Sequence, residues 1–270
     1  MTAARRRHPA HKGAPQAGAC SAALARAAWR LVRAAVPALL LVGLWELAVQ
    51  LWRIPPYLLP SPGRIGQELY LRHGLLAAHA AVTAGEVLAG FAVGSAAGFA
   101  LALALDGWPA LRRALVPWLV GSQAVPVFAV APLLVLWFGY GLASKVAMAS
   151  VITFFPVTVA ALEGLRPDPD ALRLMVALGA SRGQILRHLK LPGAMPSVFA
   201  GLKVAASVST IAAVIGEWVG ARAGLGYLMT QANAQLRVSL VFASLVWLTG
   251  MGLALYGLVE LAQRLWERRR

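Results

Sequence analysis

Six stretches of the chain are long, apolar and almost free of charge. Each approaches the length of about 20 residues that a helix needs to cross the hydrocarbon core of a bilayer. We therefore expect six membrane-spanning helices, or five if the stretch that contains Pro126 and Pro132 is broken by its prolines. The expected spans are 34–52, 87–105, about 115–137, 146–162, a span with 204–216 at its middle, and 238–259.

The same pattern divides the chain into four parts. A basic tail, 1–33, precedes the first transmembrane helix at 34–52, and a core follows at 53–262. The core contains the longest internal loop, 164–196, and a short basic segment, 263–270, ends the chain.

Composition supports a protein that lives in a membrane. Apolar residues make up 59% of the 270 residues and charged residues 13%, whereas soluble domains average about 45–50% and 25%. A soluble domain of this size could not bury so many apolar side chains, which excludes an ordinary soluble enzyme and a wholly disordered chain. The predicted fold class is all-α, a polytopic helical bundle with the lipid bilayer as its surroundings.

The distribution of charge predicts the orientation. Lys and Arg number 25 against 10 Asp and Glu, which gives a net charge of +15. With both termini in the cytoplasm, 19 of the 25 cationic residues fall on the cytoplasmic side, as the positive-inside rule requires. The cationic residues flank apolar runs and do not share one soluble face, so we expect no binding to nucleic acid.

Small residues recur every four positions in the second expected span, at Gly90, Gly94, Gly98 and Ala102. On a helix these positions share one face and allow another helix to approach closely. The pattern predicts a tightly packed bundle and carries no information on activity.

Motifs for covalent or metal chemistry are absent or incomplete. Gly179-Ala180-Ser181-Arg182-Gly183 matches a hydrolase pattern, but its flanks are helical and no histidine follows His188. The sequence has no phosphate-binding loop of the form G-x-x-x-x-G-K-[ST]. The five histidines form no metal-binding set, and Cys20 is the single cysteine. We therefore expect no catalytic residue, no metal and no cofactor in this chain.

The loop 164–196 predicts two short helices. Asp168 and Pro169 are suited to begin a helix over 170–178, and Gly179 is suited to end it. Ser181 and Gln184 form a capping box, which starts a second helix at once. We expect Pro192 and Pro196 to stop that helix before the fifth span. Its apolar face needs a cover, which is either the ends of the protein's own helices or a cytosolic partner.

This loop resembles the cytoplasmic signature of permeases of ATP-binding-cassette (ABC) importers. Gly179 is followed after nine residues by Leu189-Lys190-Leu191-Pro192, the spacing found in that family. Arg173-Leu174-Met175 stands where the family has Glu-Ala-Ala. The resemblance extends over about residues 60–262 and is strongest to the nitrate, sulfonate and taurine branch. The segment 137–141 is similar to the sub-branch for pyrimidine precursors of thiamine and riboflavin-like solutes.

The resemblance implies a type I ABC-importer permease in a bacterial inner membrane. Such a subunit forms the pathway of a small solute and binds no ATP itself. It implies three partners: a cytosolic ATP-binding subunit, an extracytoplasmic solute-binding protein and a second copy of the permease. We call 164–196 the coupling loop, because in this family the segment docks on the ATPase. The expected docking residues are Gly179, Ala180, Ser181, Ile185, Leu186, Leu189, Leu191 and Pro192.

Candidate pathway residues lie in the apolar spans. Ser122 and Gln123 stand beside Pro126, where a broken helix exposes polar groups to a cavity, and Ser150 and Thr153 are placed to join them. The alternative for each is a hydrogen bond between helices. Glu217, near the end of the fifth span, either contributes to a gate or to binding-protein contact, or forms an ion pair with Arg222 or Lys145.

Other functions have less support in the sequence. A membrane scaffold without a transport pathway is the main alternative, and an intramembrane enzyme is another. A secondary carrier would carry charged residues at the midplane and often internal repeats, and neither is evident. The resemblance leaves sulfonates, taurine, nitrate, a pyrimidine precursor of thiamine and riboflavin as candidate solutes, and the sequence does not distinguish among these.

Overall fold

The computed structural model describes residues 36–269, which are helices joined by turns. The expected features of the tail 1–33, and Cys20, lie outside the described residues. By its internal contacts the chain divides into two units, Met1–Ile54 and Pro55–Arg270. The described helices are α1 (Val36–Leu51), α2 (Pro62–Leu71), α3 (His73–Gly107), α4 (Pro109–Gly121), α5 (Val127–Phe138), α6 (Leu142–Gly164), α7 (Pro169–Ala177), α8 (Arg182–Ile185), α9 (Leu191–Gly220), α10 (Leu225–Ala234) and α11 (Val238–Glu267).

The described residues contain four helical segments long and apolar enough to cross a membrane: α3, α6, α11 and the continuous segment Arg182–Gly220. A bent pair, α4 with α5, raises the number to five if it counts as one span. The expected first span corresponds to α1 in the first unit, of which the described part, Val36–Leu51, has 16 residues. The all-α membrane fold is confirmed, whereas the count of six spans is not.

The second unit is built around α3, α6 and α9. The small-residue stripe of α3 is buried and packs on α6 as the sequence predicts. A Cβ added to Gly90 would lie 2.2 Å from the Cβ of Ala149, and one added to Gly94 would lie 2.6 Å from the Ser150 carbonyl oxygen. These distances leave no room for a side chain, so the two backbones are in direct contact.

The expected span at about 115–137 is broken, which is the alternative that its prolines raised. Helix α4 ends at Gly121, and a short 3₁₀ turn, Ser122–Ala124, follows it. Pro126 has an extended backbone and precedes α5, and the two arms meet at a bend of 101°. Pro126 cannot donate a backbone hydrogen bond and disfavours helical geometry in the residue before it, which accounts for the break.

The expectation that Pro192 and Pro196 stop the second loop helix is wrong. The helix continues from Arg182 to Gly220 through a π-helical turn, Leu186–Lys190, and both prolines lie inside α9. In that turn the Leu191 N–H donates to the Leu186 carbonyl. A widened turn displaces the carbonyl that the proline ring would otherwise meet. The coupling loop therefore passes without interruption into a long apolar helix.

Candidate functional site

The caps of the coupling loop form as the sequence predicts. The Asp168 carboxylate accepts from the Asp170 N–H at 3.1 Å at the start of α7. Gly179 has a φ of 76° and ends α7, with the Ala180 N–H donating to the Met175 carbonyl at 3.0 Å. Ser181 and Gln184 satisfy each other's backbone N–H groups at the start of α8. Both short helices are therefore closed at the junction between them.

The apolar residues expected to dock a partner are largely covered by the protein itself. Leu186 and Leu191 pack on a buried cluster that includes Leu105 of α3 and Leu162 of α6. Six of the expected docking residues are half-buried: Ala180, Ile185, Leu186, Leu189, Leu191 and Pro192. Gly179 and Ser181 are exposed. The protein's own helix ends therefore cover part of this face.

An exposed apolar surface lies instead on and just after α7. Leu174, Val176 and Leu178 are 61%, 59% and 74% exposed, and we call these three residues the α7 surface. The sequence analysis placed the expected docking residues from Gly179 onward and did not include these three. The signal was present as apolar residues in a short capped helix whose neighbours are charged.

The coupling loop is fixed to the end of α3 by an ion pair. The Lys190 ammonium lies 2.8 Å from both carboxylate oxygens of Asp106. Both side chains are mostly buried, at 20% and 14% exposure. They border a groove of about 440 Å³ that Leu103, Leu172 and Ile185 also line. This ion pair fixes the coupling loop to α3 at that end of the bundle.

The break between α4 and α5 opens onto a cavity of about 540 Å³. Ser122 and Gln123 line it from the break and Ser150 lines it from α6, so three of the expected pathway residues meet there. The other lining residues are small or apolar: Gly94, Ala97, Val125, Val127, Val130, Val151, Ile152 and Phe154. The lining contains no ionisable side chain.

Thr153, the fourth expected pathway residue on the inner spans, is not part of the cavity lining. Its side chain is fully buried, and its hydroxyl lies 2.8 Å from the Ala149 carbonyl and 3.2 Å from the Gly90 carbonyl. The Ser150 hydroxyl also lies 3.3 Å from the Gly90 carbonyl. Thr153 therefore holds α6 against α3, as the alternative interpretation states.

Glu217 lies in the interior, with 1% exposure. Its carboxylate accepts from the Thr83 hydroxyl at 2.6 Å and from the backbone N–H groups of Gly226 and Tyr227 at 2.5 and 3.2 Å. Lys145, one of its two expected ion-pair partners, pairs with Glu86 at 2.9 Å. Glu217 thus caps the first turn of α10 and ties it to α3.

The sequence analysis missed the grouping of Glu86 with Lys145 and Glu217. Each residue is on a different helix, and their spacing along the chain does not predict that they lie close together. The only available signal was that charged residues inside apolar spans need partners. We call Glu86, Lys145 and Glu217 the buried charge cluster.

The hydrolase-like motif and the candidate metal-binding side chains can be located in the described part of the chain. Ser181 of the hydrolase-like motif acts as a helix cap, with its hydroxyl accepting from the Gln184 N–H. Among residues 36–269, no three His, Cys, Asp or Glu side chains come together in a way that would hold a metal ion. What the site has is a capped loop, a cavity at a helix break and a charge cluster.

Comparison with known proteins agrees with this arrangement. The chain is 45% identical over 223 residues to a probable ABC transporter permease protein of Haemophilus influenzae, an alignment that covers 81% of this chain and 91% of the relative. It is 38% identical over 250 residues to the riboflavin transport system permease protein of Chloroflexus aurantiacus, with 90% and 93% covered. It is 36% identical over 217 residues to the formylaminopyrimidine transport permease protein of Halalkalibacterium halodurans, with 80% and 86% covered.

A family model described as the inner membrane component of binding-protein-dependent transport systems matches residues 77–270. These subunits are transport components, and the ATPase of such systems is a separate subunit. The capped loop, the broken helix and the match over most of the core lead to one conclusion: the chain belongs to the family of binding-protein-dependent ABC-importer permeases.

Proposed function

We propose that two copies of this permease form the pathway of a small, uncharged heteroaromatic solute, and that the coupling loop transmits motion from the ATPase. The observation that carries the proposal is the cavity at the helix break. Its lining combines the Gln123 amide and two serine hydroxyls with apolar surface and Phe154. Pockets of this kind bind organic molecules by apolar contact and orient them with a few polar groups.

The charge of the cavity favours one of the solute classes that the sequence left open. A sulfonate, taurine or nitrate carries an anionic group, and transferring it into an apolar site without a cation is costly. The cavity lining supplies no Lys, Arg or His. An uncharged ring, of the kind named for the riboflavin and formylaminopyrimidine relatives, needs only hydrogen bonds and apolar contact. We therefore assign the solute to the vitamin-precursor class.

A second copy is needed to cover the break. Residues 122–126 have no regular α-helical hydrogen bonding, and Gln123 and Val125 are exposed in the single chain. Phe128, at the start of α5, is 54% exposed. Irregular backbone at membrane depth is tolerated where it is buried in protein or lines a water-filled cavity. A homodimer in which the breaks of two copies face each other satisfies this requirement.

The remaining partners follow from the family. A cytosolic ATPase docks on the coupling-loop side, and an extracytoplasmic solute-binding protein delivers solute to the opposite side. This arrangement places both termini in the cytoplasm, in line with the distribution of Lys and Arg. ATP binding brings the ATPase subunits together, and the coupling loops pass that rigid-body motion to the spans.

The first experiment is purification of the tagged permease in mild detergent with its natural partners, followed by uptake assays in proteoliposomes. We expect an ATPase and a solute-binding protein to co-purify. We expect ATP-dependent uptake of labelled riboflavin or formylaminopyrimidine and none of taurine. Recovery of the chain alone in several detergents would favour the scaffold alternative, and taurine uptake would contradict the solute assignment.

A matched pair of variants tests the cavity. Gln123→Leu keeps the size of the side chain and removes its amide, so we expect uptake to fall roughly fivefold to tenfold, the worth of about one hydrogen bond. Gln235→Leu changes an exposed amide between α10 and α11 and should leave uptake unchanged. Normal uptake by the Gln123→Leu permease would remove the cavity from the pathway.

Cross-linking tests the homodimer. In a Cys20→Ser background, Val125→Cys places a single thiol at the break, and we expect a short bifunctional maleimide to link two copies there. Leu258→Cys, on an exposed position of α11, is the matched control and should give no dimer. Cross-linking at Leu258→Cys alone would place the interface on the other side of the bundle.

A further inference from the structure

The buried charge cluster does not balance its charges if every member is ionised. Glu86 and Glu217 are each 1% exposed and Lys145 is 8% exposed. Two carboxylates beside one ammonium leave a net negative charge in the interior of the unit. An isolated buried charge is expensive, and buried groups usually change their protonation state to avoid it.

Glu217 is the member of the cluster whose two carboxylate oxygens both accept hydrogen bonds. One of its carboxylate oxygens accepts from the Thr83 hydroxyl, and the other accepts from the N–H groups of Gly226 and Tyr227. The latter two groups belong to the first turn of α10, where the helix dipole also favours negative charge. A proton on the oxygen that faces these two N–H groups would set donor against donor, so that oxygen carries none.

Glu86 has a different environment. Its Oε1 receives the Lys145 ammonium at 2.9 Å. Its Oε2 is buried and has no hydrogen-bond partner within the described part of the chain, while the Glu217 carboxyl is its acidic neighbour. An orphaned buried oxygen beside a second carboxylate is the arrangement that one added proton resolves.

Lys145 is the cation paired with Glu86, and other ionisable groups on the surrounding elements have their own partners or are exposed. The His79 ring lies 3.0 Å from the Gly224 backbone and stacks on Tyr227. Glu68 of α2 pairs with Arg72 at 2.7 Å, and Arg222 is exposed in the turn before α10. The ionisable side chains of α4 are Arg112 and Arg113, and those of α11 are Tyr256, Glu260, Arg264 and Glu267. Helix α6 also carries Glu163, and α9 carries Lys203, whose ammonium lies 5.7 Å from the centre of the Tyr256 ring.

We propose that Glu86 is a buried proton-binding site. The proton resides on Oε2 and is donated to the Glu217 carboxylate, while Oε1 accepts from Lys145. The cluster then contains one carboxylic acid, one carboxylate and one ammonium, and is neutral overall. This assignment does not depend on the solute or on the transport role, because it concerns the chain's own interior.

Infrared spectroscopy of the full-length chain in lipid nanodiscs tests the proton directly. We expect a C=O stretching band of a protonated carboxylic acid at neutral pH, shifted in heavy water. The band should vanish in Glu86→Gln and persist in Glu68→Gln, which removes a carboxyl of the partly exposed pair with Arg72. A band that persists in Glu86→Gln, or is missing from the unmodified chain, would overturn the proposal.

Thermal unfolding gives a second readout. Glutamine resembles a protonated glutamic acid in shape and can still donate to Glu217, so Glu86→Gln should keep the Tm within about 2 °C. Lys145→Met leaves the Glu217 anion without its cation and should lower the Tm by on the order of 10 °C. If Glu86 were instead the charged partner of Lys145, both variants would show the same large fall, and the proposal would be wrong. If Lys145→Met fails to fold, the infrared comparison of Glu86→Gln with Glu68→Gln still decides.

Discussion

Lys190 of the coupling loop donates to both carboxylate oxygens of Asp106 at the end of α3, each at 2.8 Å. The two residues are distant along the chain and lie on different elements. Lys190 also stands between Leu189 and Leu191 in the Leu-Lys-Leu-Pro part of the loop motif. The pair therefore connects the coupling loop with a helix that lines the cavity at Gly94.

Breaking this pair should weaken the coupling loop's attachment. Lys190→Met leaves a mostly buried Asp106 carboxylate without its cation, so we expect a loss of about 1.5–3 kcal/mol in the free energy of unfolding. We also expect ATP-driven uptake to fall more than ATPase binding does, because the loop stays present but is held less firmly. The measurements are the Tm of the Lys190→Met permease and its ratio of solute transported to ATP hydrolysed.

The matched control is the other ion pair of the loop. Arg173 and Asp170 lie 3.3 Å apart, but their side chains are 81% and 85% exposed. Exposed pairs contribute about 0–1 kcal/mol, so Arg173→Met should leave both measurements nearly unchanged. Equal effects of Lys190→Met and Arg173→Met would show that the Asp106 contact has no special role.

The α7 surface should govern association with the ATPase. A double variant, Leu174→Asp with Leu178→Asp, replaces two exposed apolar side chains by charges, so the fold has little reason to change. Buried apolar anchors at interfaces contribute on the order of 2 kcal/mol each. We therefore expect the two changes to weaken ATPase association on the order of 1,000-fold, measured by co-purification and by titration in nanodiscs.

Two other variants separate docking from folding. Asp170→Ala changes an exposed residue on α7 and should bind the ATPase normally. Leu189→Asp alters a half-buried position and should lower the Tm as well as the association. Undiminished binding by the Leu174 and Leu178 double variant would return the docking role to the residues after Gly179.

Local signals in the sequence predicted the local structure well. Asp168, Gly179 and the Ser181–Gln184 capping box act between residues a few positions apart, and each forms as expected. The prediction from the small-residue stripe of α3 is also confirmed, because the residues of one buried helix face recur at a fixed spacing in the sequence.

Features that depend on contacts between distant segments were not predictable. The helix runs on through Pro192 because a π-helical turn precedes it, and nothing in the spacing of apolar residues distinguishes that turn from a stop. The burial of Glu217 beside Glu86 depends on how α3 and α9 pack, and a single sequence contains no record of that packing.

Close contact between α3 and α6 should make Gly94 intolerant of even a methyl group. An added Cβ would meet the Ser150 carbonyl oxygen at 2.6 Å, so Gly94→Ala must push the helices apart. Overpacking costs about 1–3 kcal/mol, which corresponds to a fall in Tm of roughly 3–10 °C. Gly85→Ala, on the same helix with open space around it, should leave the Tm unchanged or raise it. If the two variants unfold at the same temperature, the contact is looser than the structure shows.

The orientation of the chain is open to a direct labelling test. The positive-inside distribution predicts that the chain's end after α11 is cytoplasmic and that the turn between α10 and α11 is extracytoplasmic. In a Cys20→Ser background, Leu236→Cys places a thiol at a site that is 67% exposed, and Arg268→Cys places one beyond α11. A membrane-impermeant maleimide added to intact cells should label Leu236→Cys, and should label Arg268→Cys only after permeabilisation. The reverse pattern would invert the topology and place the coupling loop on the side of the membrane away from ATP. That result would contradict the proposed function.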